Sequence, residues 1–172
     1  ENNSKLIINN NSDLLNILVI DCGIKNSQLR ALLKHNVQLT VVDTKYNFIN
    51  EVFESNYDGI FISNGPGDPY RCIETINNIK QFLESEHSQS IPLFGICLGN
   101  QLLSLAAGGK TYKMKYGNRG YNQPVINLEN NQTYITSQNH GYAVDSESLP
   151  PEWKVTHINK NDGSNEGIKH RN

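Results

Sequence analysis

The sequence predicts an α/β fold: a mostly parallel sheet flanked by helices, with a small antiparallel β excursion in the C-terminal half. Three observations carry this. Short apolar, β-branched runs alternate with segments of helical apolar spacing as far as Ala107, the pattern of right-handed βαβ units. Glycine-containing turns follow several of the runs, where the working groups of a parallel sheet collect. Beyond Ala107 the pattern changes to short strand-like stretches with polar turns between them.

In chain order, Glu1 to Asp13 is polar and Asn-rich with one apolar break at Leu6-Ile-Ile8. Residues 1–15 therefore read as a flexible tail or linker. Asn16-Ile-Leu-Val-Ile-Asp21 is a buried strand by length and β-branched content, with Cys22-Gly23 as its turn. Asn26 to His35 carries Leu29, Leu32 and Leu33 at helical spacing. Gln38 to Val42 is a second strand and Asp58 to Ser63 a third. Ile73 to Leu83 is a helix with Ile76, Ile79 and Leu83 on one face. Pro92 to Ile96 is the fourth strand, and the helix read after it runs from Gln101 to Ala107. Lys110 to Lys115, Pro124 to Leu128, Thr133 to Thr136 and Trp153 to Ile158 read as the short strands of the excursion, with Gly141 to Val144 beside them. Gly167 to His170 opens another strand. No internal repeat is visible, and no domain boundary is expected after Asn16.

Composition narrows the function classes. The 172 residues suffice for one domain with a real core. A net charge of −2 gives no basic field to recruit nucleic acid. No apolar run approaches the roughly 20 residues that span a bilayer, so neither a nucleic-acid nor a membrane partner is expected. Cys22, Cys72 and Cys97 are odd in number and lack metal-type spacing, and the five histidines do not cluster. No metal site is expected. Thiols without a secretion signal suit a reducing, cytoplasmic setting.

Two stretches carry chemistry. Pro92 to Ile96 ends at Cys97, with Gly95 and Gly99 on either side and a helical run after it. A cysteine at a strand-to-helix turn is the thiol form of a nucleophile elbow, and the nearby helix N-terminus favours the thiolate. The plainer alternative is a buried core cysteine. The second stretch, Asn64-Gly-Pro-Gly-Asp-Pro69, is a tight turn at a strand end. Such a turn can offer N–H groups to an oxyanion, or can serve only as a strand-to-helix loop.

Taken together, Gly95-Ile-Cys97-Leu-Gly99-Asn-Gln101 and Ser63-Asn-Gly65-Pro-Gly67-Asp-Pro69 resemble the nucleophile motif and oxyanion loop of the class I (triad) glutamine amidotransferases. Gln138-Asn-His-Gly-Tyr-Ala-Val-Asp145 narrows the resemblance to the glutaminase domain of glutamine-dependent carbamoyl phosphate synthetases. Asp21-Cys-Gly-Ile-Lys-Asn26, Lys110-Thr-Tyr-Lys-Met114 and Asn118-Arg-Gly-Tyr-Asn-Gln-Pro-Val125 lean towards eukaryotic forms. The resemblance runs from about Asn16 to the end and implies a flavodoxin-like amidotransferase domain over 16–172.

By that resemblance Cys97 attacks the side-chain amide of L-glutamine, ammonia leaves, and water hydrolyses the thioester. The backbone N–H groups of Gly65 and Leu98 form the oxyanion hole and contact substrate. Gly67, Gln101, Asn139, Gly141 and Tyr142 line the glutamine pocket. The partner implied is a synthetase subunit or fused domain that takes the ammonia, and pyrimidine synthesis is favoured over arginine synthesis. No cofactor belongs to this domain, because ATP and magnesium go with the synthetase.

His140 is the only histidine inside a matched motif, but the family places its base further on, in a His-Pro-Glu segment absent from this sequence. The domain is therefore expected to be C-terminally incomplete and a poor glutaminase alone. His170 precedes the expected place and reads as a solvated surface residue. The remaining alternatives are a catalytically dead amidotransferase-fold module that binds or regulates a partner, and another class I amidotransferase subunit. A flavodoxin-like nucleotide binder lacks support, since no loop has the GxGxxG pattern.

Overall fold

A computed structural model of the protein describes residues 5–9, 11 and 13–171. The chain forms two compact units, residues 1–106 and 107–172. This is a finer division than the sequence suggests, which shows no boundary after Asn16.

The first unit is built on a five-stranded sheet of β1 (Lys5–Ile8), β2 (Leu15–Asp21), β3 (Val37–Asp43), β4 (Gly59–Ile62) and β5 (Leu93–Gly95), in the order β1-β3-β2-β4-β5. The last four run parallel. The helices are α1 (Asn26–Leu33), α2 (Ile49–Glu54), α3 (Ile73–Glu84) and α4 (Leu98–Ala106). Val19, Leu39 and Phe61 lie at the centre of a buried cluster with Val37 and Val41. Leu29, Leu32 and Leu33 of α1 pack onto it, as does Ile8 of β1. The apolar spacing read from the sequence for α1 is thus the spacing that faces the core; in α3 Ile76 and Ile79 are buried as read, but Phe82 takes the buried place read for Leu83, which is half-buried.

The reading of residues 1–15 as a flexible tail needs correcting at Lys5–Ile8. These residues pair antiparallel with β3, from Lys5 opposite Val42 to Ile8 opposite Leu39. The physical reason is the apolar break in the polar segment: Leu6-Ile-Ile8 has strand propensity, Ile8 reaches the core, and the Lys5 ammonium pairs with Glu51 on α2. Residues 1–4, 10 and 12 lie outside the described residues. Helix α2 has no counterpart in the sequence reading. It is only six residues long, and it buries Ile49 and Val52 on one side, too short a run to show helical periodicity.

The second unit is a small closed barrel of β6 (Lys110–Asn127), β7 (Gln132–Asp145), β9 (Asn165–His170) and β8 (Trp153–Asn159), in that order. The excursion is indeed antiparallel. Its short strands merge: Lys110–Lys115 and, but for Leu128, Pro124–Leu128 belong to one long β6, and Thr133–Thr136 and Gly141–Val144 to one β7. The merging is hidden in the sequence because the ladder breaks register between Lys113 and Asn118 and again between Gly120 and Gln123. Bulges of this kind interrupt the period-two alternation from which a strand is read.

Candidate active site

In the first unit the chain leaves β2 for β3 on one side and then crosses to β4 on the other, so the direction of strand order reverses between β2 and β4. The carboxyl ends flanking such a reversal form a crevice used for ligands in open α/β sheets. Asp21, the Gly65–Gly67 loop and Cys97 stand at those ends.

The turns there are tied to one another. Asp21 Oδ1 accepts from the N–H groups of Gly23 and Ile24, each at 2.8 Å. Ser63 Oγ, fully buried, accepts from Cys22 N at 2.9 Å and donates to the Asn64 carbonyl at 2.8 Å. Asn64 Nδ2 reaches the Gly23 carbonyl at 3.3 Å. A Cβ on Gly65 would lie 1.9 Å from the Cys22 carbonyl oxygen and 2.8 Å from Leu98 Cδ2. Only glycine fits there, and its fit sets this loop directly against the residue that follows Cys97.

The elbow itself is as tight. Ile96 N donates to the Ile62 carbonyl at 3.0 Å, Gly99 N to Ile96 at 2.9 Å and Gln101 N to Cys97 at 3.1 Å. A Cβ on Gly95 would meet the Gly99 backbone at 2.5 Å, and one on Gly99 would meet the Ile62 carbonyl at 2.3 Å. Between them Cys97 takes φ +53°, a left-handed conformation uncommon for a residue with a Cβ. The other non-glycine residues at positive φ among those described are Asn9, Asn36 and Asn131. Asparagine is the residue type that most readily joins glycine in this region; cysteine visits it seldom. An outlier held by its surroundings is a mark of a functional position. Helix α4 starts at Leu98, three residues earlier than the sequence-read helix with its start at Gln101, so Gln101 sits buried within the first turn. The first N–H groups of such a helix have no partner inside it. Gly67, at φ +96°, faces open space.

The other two cysteines differ in kind. Burial, then the charges of Cys72 and Asp21, push the Cys22 thiol up to about 12. Burial, then Asp68, also raises Cys72. Both are held as thiols, and none of the three cysteines forms a disulfide.

Asn139, Gly141 and Tyr142 lie on β7 of the second unit, so the structure places the eight sequence-read site residues in two groups: Gly65, Gly67, Cys97, Leu98 and Gln101 in one unit, these three in the other. The β7 segment is braced by the neighbouring bulge. Asn118 stands opposite His140 and Arg119 opposite Asn139. Gly117, at φ +74°, lies so close that a Cβ there would be 2.6 Å from the His140 carbonyl.

His140 is engaged on both ring nitrogens. Nδ1 lies 2.9 Å from the Tyr142 carbonyl, and Nε2 lies 3.3 Å from Glu166 Oε2 and 3.3 Å from Gln138 Oε1. Burial alone would lower its pKa. The Glu166 carboxylate, the Tyr142 carbonyl and Asp162 outweigh burial and raise it. Sequence reading missed Glu166, Ser164 and Asp162 around this ring, because they belong to another strand and turn and no local spacing links them to His140. His170, read as solvated, is half-buried with its ring edge-on to Trp153 at 5.2 Å. No group of His, Cys, Asp and Glu able to hold a metal occurs among the described residues, and no described helix is long and apolar enough to cross a membrane.

With this geometry in view, residues 18–172 match the family model for glutamine amidotransferase class-I. The chain belongs to that family. Among curated proteins it is 55% identical over 155 residues to the multifunctional protein CAD of Squalus acanthias, covering 90% of this chain and 7% of that protein. It is 50% identical over 157 residues to the carbamoyl phosphate synthase arginine-specific small chain of Schizosaccharomyces pombe, covering 91% and 37%. The chain thus spans little more than a third of the latter and a small fraction of the former. A crystal structure of a glutamine amidotransferase from Thermotoga maritima shares the fold, with TM-score 0.68 at 18% identity, covering 91% of this chain and 71% of that one.

Proposed function

We propose that this chain is the glutaminase part of a glutamine-dependent carbamoyl phosphate synthetase of the eukaryotic type. Cys97 attacks the side-chain amide carbon of L-glutamine. The C–N bond breaks, ammonia departs with an added proton, and a thioester joins glutamate to Sγ. Water then cleaves the thioester and frees the thiol. The N–H groups of Gly65 and Leu98 bind the oxyanion of each tetrahedral intermediate, while Gly67, Gln101, Asn139, Gly141 and Tyr142 hold the glutamine. The base comes from the family's His-Pro-Glu segment, which is not in the sequence from Glu1 to Asn172. Ammonia passes to a synthetase subunit or fused domain that holds the ATP and magnesium, in the cytoplasm, with pyrimidine synthesis as the favoured route.

The observation that carries this reading is the left-handed Cys97 between Gly95 and Gly99, at an elbow whose next residue touches the Gly65 loop. The test is mass-spectrometric trapping of a glutamyl thioester on Cys97, together with glutamine-dependent ammonia release with and without a purified synthetase partner. A Cys97-dependent adduct supports the reading. If Cys97→Ala and the parent behave alike, with no adduct and no ammonia even in a chain extended through the His-Pro-Glu segment and beside the synthetase, the chain is a binding module instead.

A further inference from the structure

The second unit holds a polar cluster that the proposed chemistry does not use. Ser164, fully buried, has its Oγ 2.7 Å from both Asp162 Oδ1 and Glu166 Oε1. Asn118 Nδ2 donates to Asp162 Oδ2 at 3.0 Å and to Ser164 Oγ at 3.3 Å. The Ser164 hydroxyl has one proton and cannot serve two carboxylates at once. The nearby cation is His140, whose ring faces Glu166 at 3.3 Å, with both side chains only 11% exposed.

Every acceptor around that ring asks for a proton. The Tyr142 carbonyl faces Nδ1, while Glu166 and Gln138 Oε1 face Nε2. The Gln138 oxygen is oriented by Asn159 Nδ2, which donates to it at 3.0 Å. A neutral imidazole carries one N–H, and the imidazolium carries two. Only the charged ring satisfies both sides.

We propose that Glu166 is a positioning residue for the glutamine pocket: it keeps His140 doubly protonated, and the ring then ties the β7 segment Gln138–Tyr142 to β9, so that glutamine binding weakens when His140 loses its proton. This rests on the reading of Asn139, Gly141 and Tyr142 as pocket residues. His140 lies between two of them in sequence, and its Nδ1–H bond ends on the backbone of the third. The charged and titratable groups around the ring are Glu166 on β9, Asp162 in the turn before it, and Tyr112 and Arg119 on β6. Of these, the two carboxylates favour the imidazolium. Tyr112 is raised by burial and then by Asp162, Asp145 and Glu166, and so stays neutral.

The experiment uses a diazoketone analogue of glutamine that alkylates Cys97, followed by mass spectrometry on the whole chain between pH 6 and pH 9. The half-saturating concentration reports the pocket, and the limiting rate reports the Cys97 thiol. Nuclear magnetic resonance of the His140 ring protons supplies its titration in the same samples. The half-saturating concentration is expected to rise about tenfold as His140 deprotonates, the loss of one hydrogen bond to a charged group. Glu166→Gln should move that rise to lower pH and Glu166→Asp should restore it, with limiting rates unchanged. Saturable labelling whose half-saturation ignores the His140 titration overturns the inference, and that comparison needs no variant to fold. No saturable labelling at any pH overturns the glutamine reading itself, and this inference with it.

Discussion

The two groups of candidate site residues are held in place by different physics. Around Cys97 the positions are fixed by exclusion. Gly65, Gly95 and Gly99 sit where any Cβ would overlap a backbone atom, and the apolar cluster of Val19, Leu39 and Phe61 lies beneath the same strands. Around β7 they are fixed by pairing. The buried side chains of the barrel include Thr156, Asn159, Ser164 and Asn165 beside Val125, Ala143 and Val144, and His140 is placed by its hydrogen-bond partners. A site held by exclusion tolerates pH and fails on added volume. A site held by polar pairing tolerates small volume changes and fails when a proton is gained or lost.

The largest expected effect comes from adding one methyl group to the first kind of site. Gly65→Ala puts a Cβ 1.9 Å from the Cys22 carbonyl, so the loop must move off Leu98 and one oxyanion donor leaves its place. Thioester formation on Cys97 is expected to slow by about 10²–10³-fold, roughly 3–4 kcal/mol. Gly163→Ala is the control. Its φ of +74° makes alanine strained, yet nothing lies within 4 Å of the new atom, so it should cost stability of about 1 kcal/mol with a far smaller loss of rate. Equal rate losses in single-turnover trapping would show that the Gly65 contact does not position a donor.

Proton-dependent stability should differ in sign between the units. In the first, burial raises the Glu51 pKa, but hydrogen bonds from Lys5, Tyr46 and Tyr57 prevail and lower it. Its stabilisation is present above the unfolded carboxylate value and is lost as pH falls through the depressed folded value. In the second, the pKa of His140 is raised. Its stabilisation is complete below about pH 6.5 and is lost as pH rises through the folded value. Hydrogen-exchange protection should therefore fall first in the first unit on acidification and in the barrel on mild alkalinisation. Glu51→Gln and Glu166→Gln should each flatten only their own limb. A common response in both units would contradict the contrast.

The same contrast explains what the sequence could reveal. The elbow and the Gly65 turn are each contiguous in the chain, with glycines at the places where sterics demand them, so the position of Cys97, Leu98 and Gly65 beyond the strand ends was legible. The strands β2 to β5 were equally legible, because buried parallel strands read as apolar runs. The barrel was legible only in outline. Two register shifts concealed the length of β6, and the pairing of His140 with Glu166 joins strands with no periodic relation. Strand β1 was missed because three apolar residues in a polar, Asn-rich segment are a weak signal until β3 offers an edge to pair with.

A smaller effect tests whether Cys97 is held against its own preference. Cys97→Gly removes the Cβ from a residue at φ +53° and must abolish thioester formation. It should at the same time raise the stability of the first unit, by about 0.5–1 kcal/mol, since a left-handed conformation costs an L-residue roughly 1–2 kcal/mol and the greater freedom of an unfolded glycine takes back part of that. Denaturant melts of the two proteins check this. The natural comparison is Asn131→Gly, at φ +57° in the turn between β6 and β7. Asparagine already suits that region through its side-chain hydrogen bonding, so the gain there should be only a few tenths of a kcal/mol. A gain at residue 97 that clearly exceeds the gain at residue 131 would mean that the nucleophile is kept in a conformation the fold alone does not favour. Equal gains would mean that the elbow is an ordinary turn, and that its chemistry depends on the thiol alone.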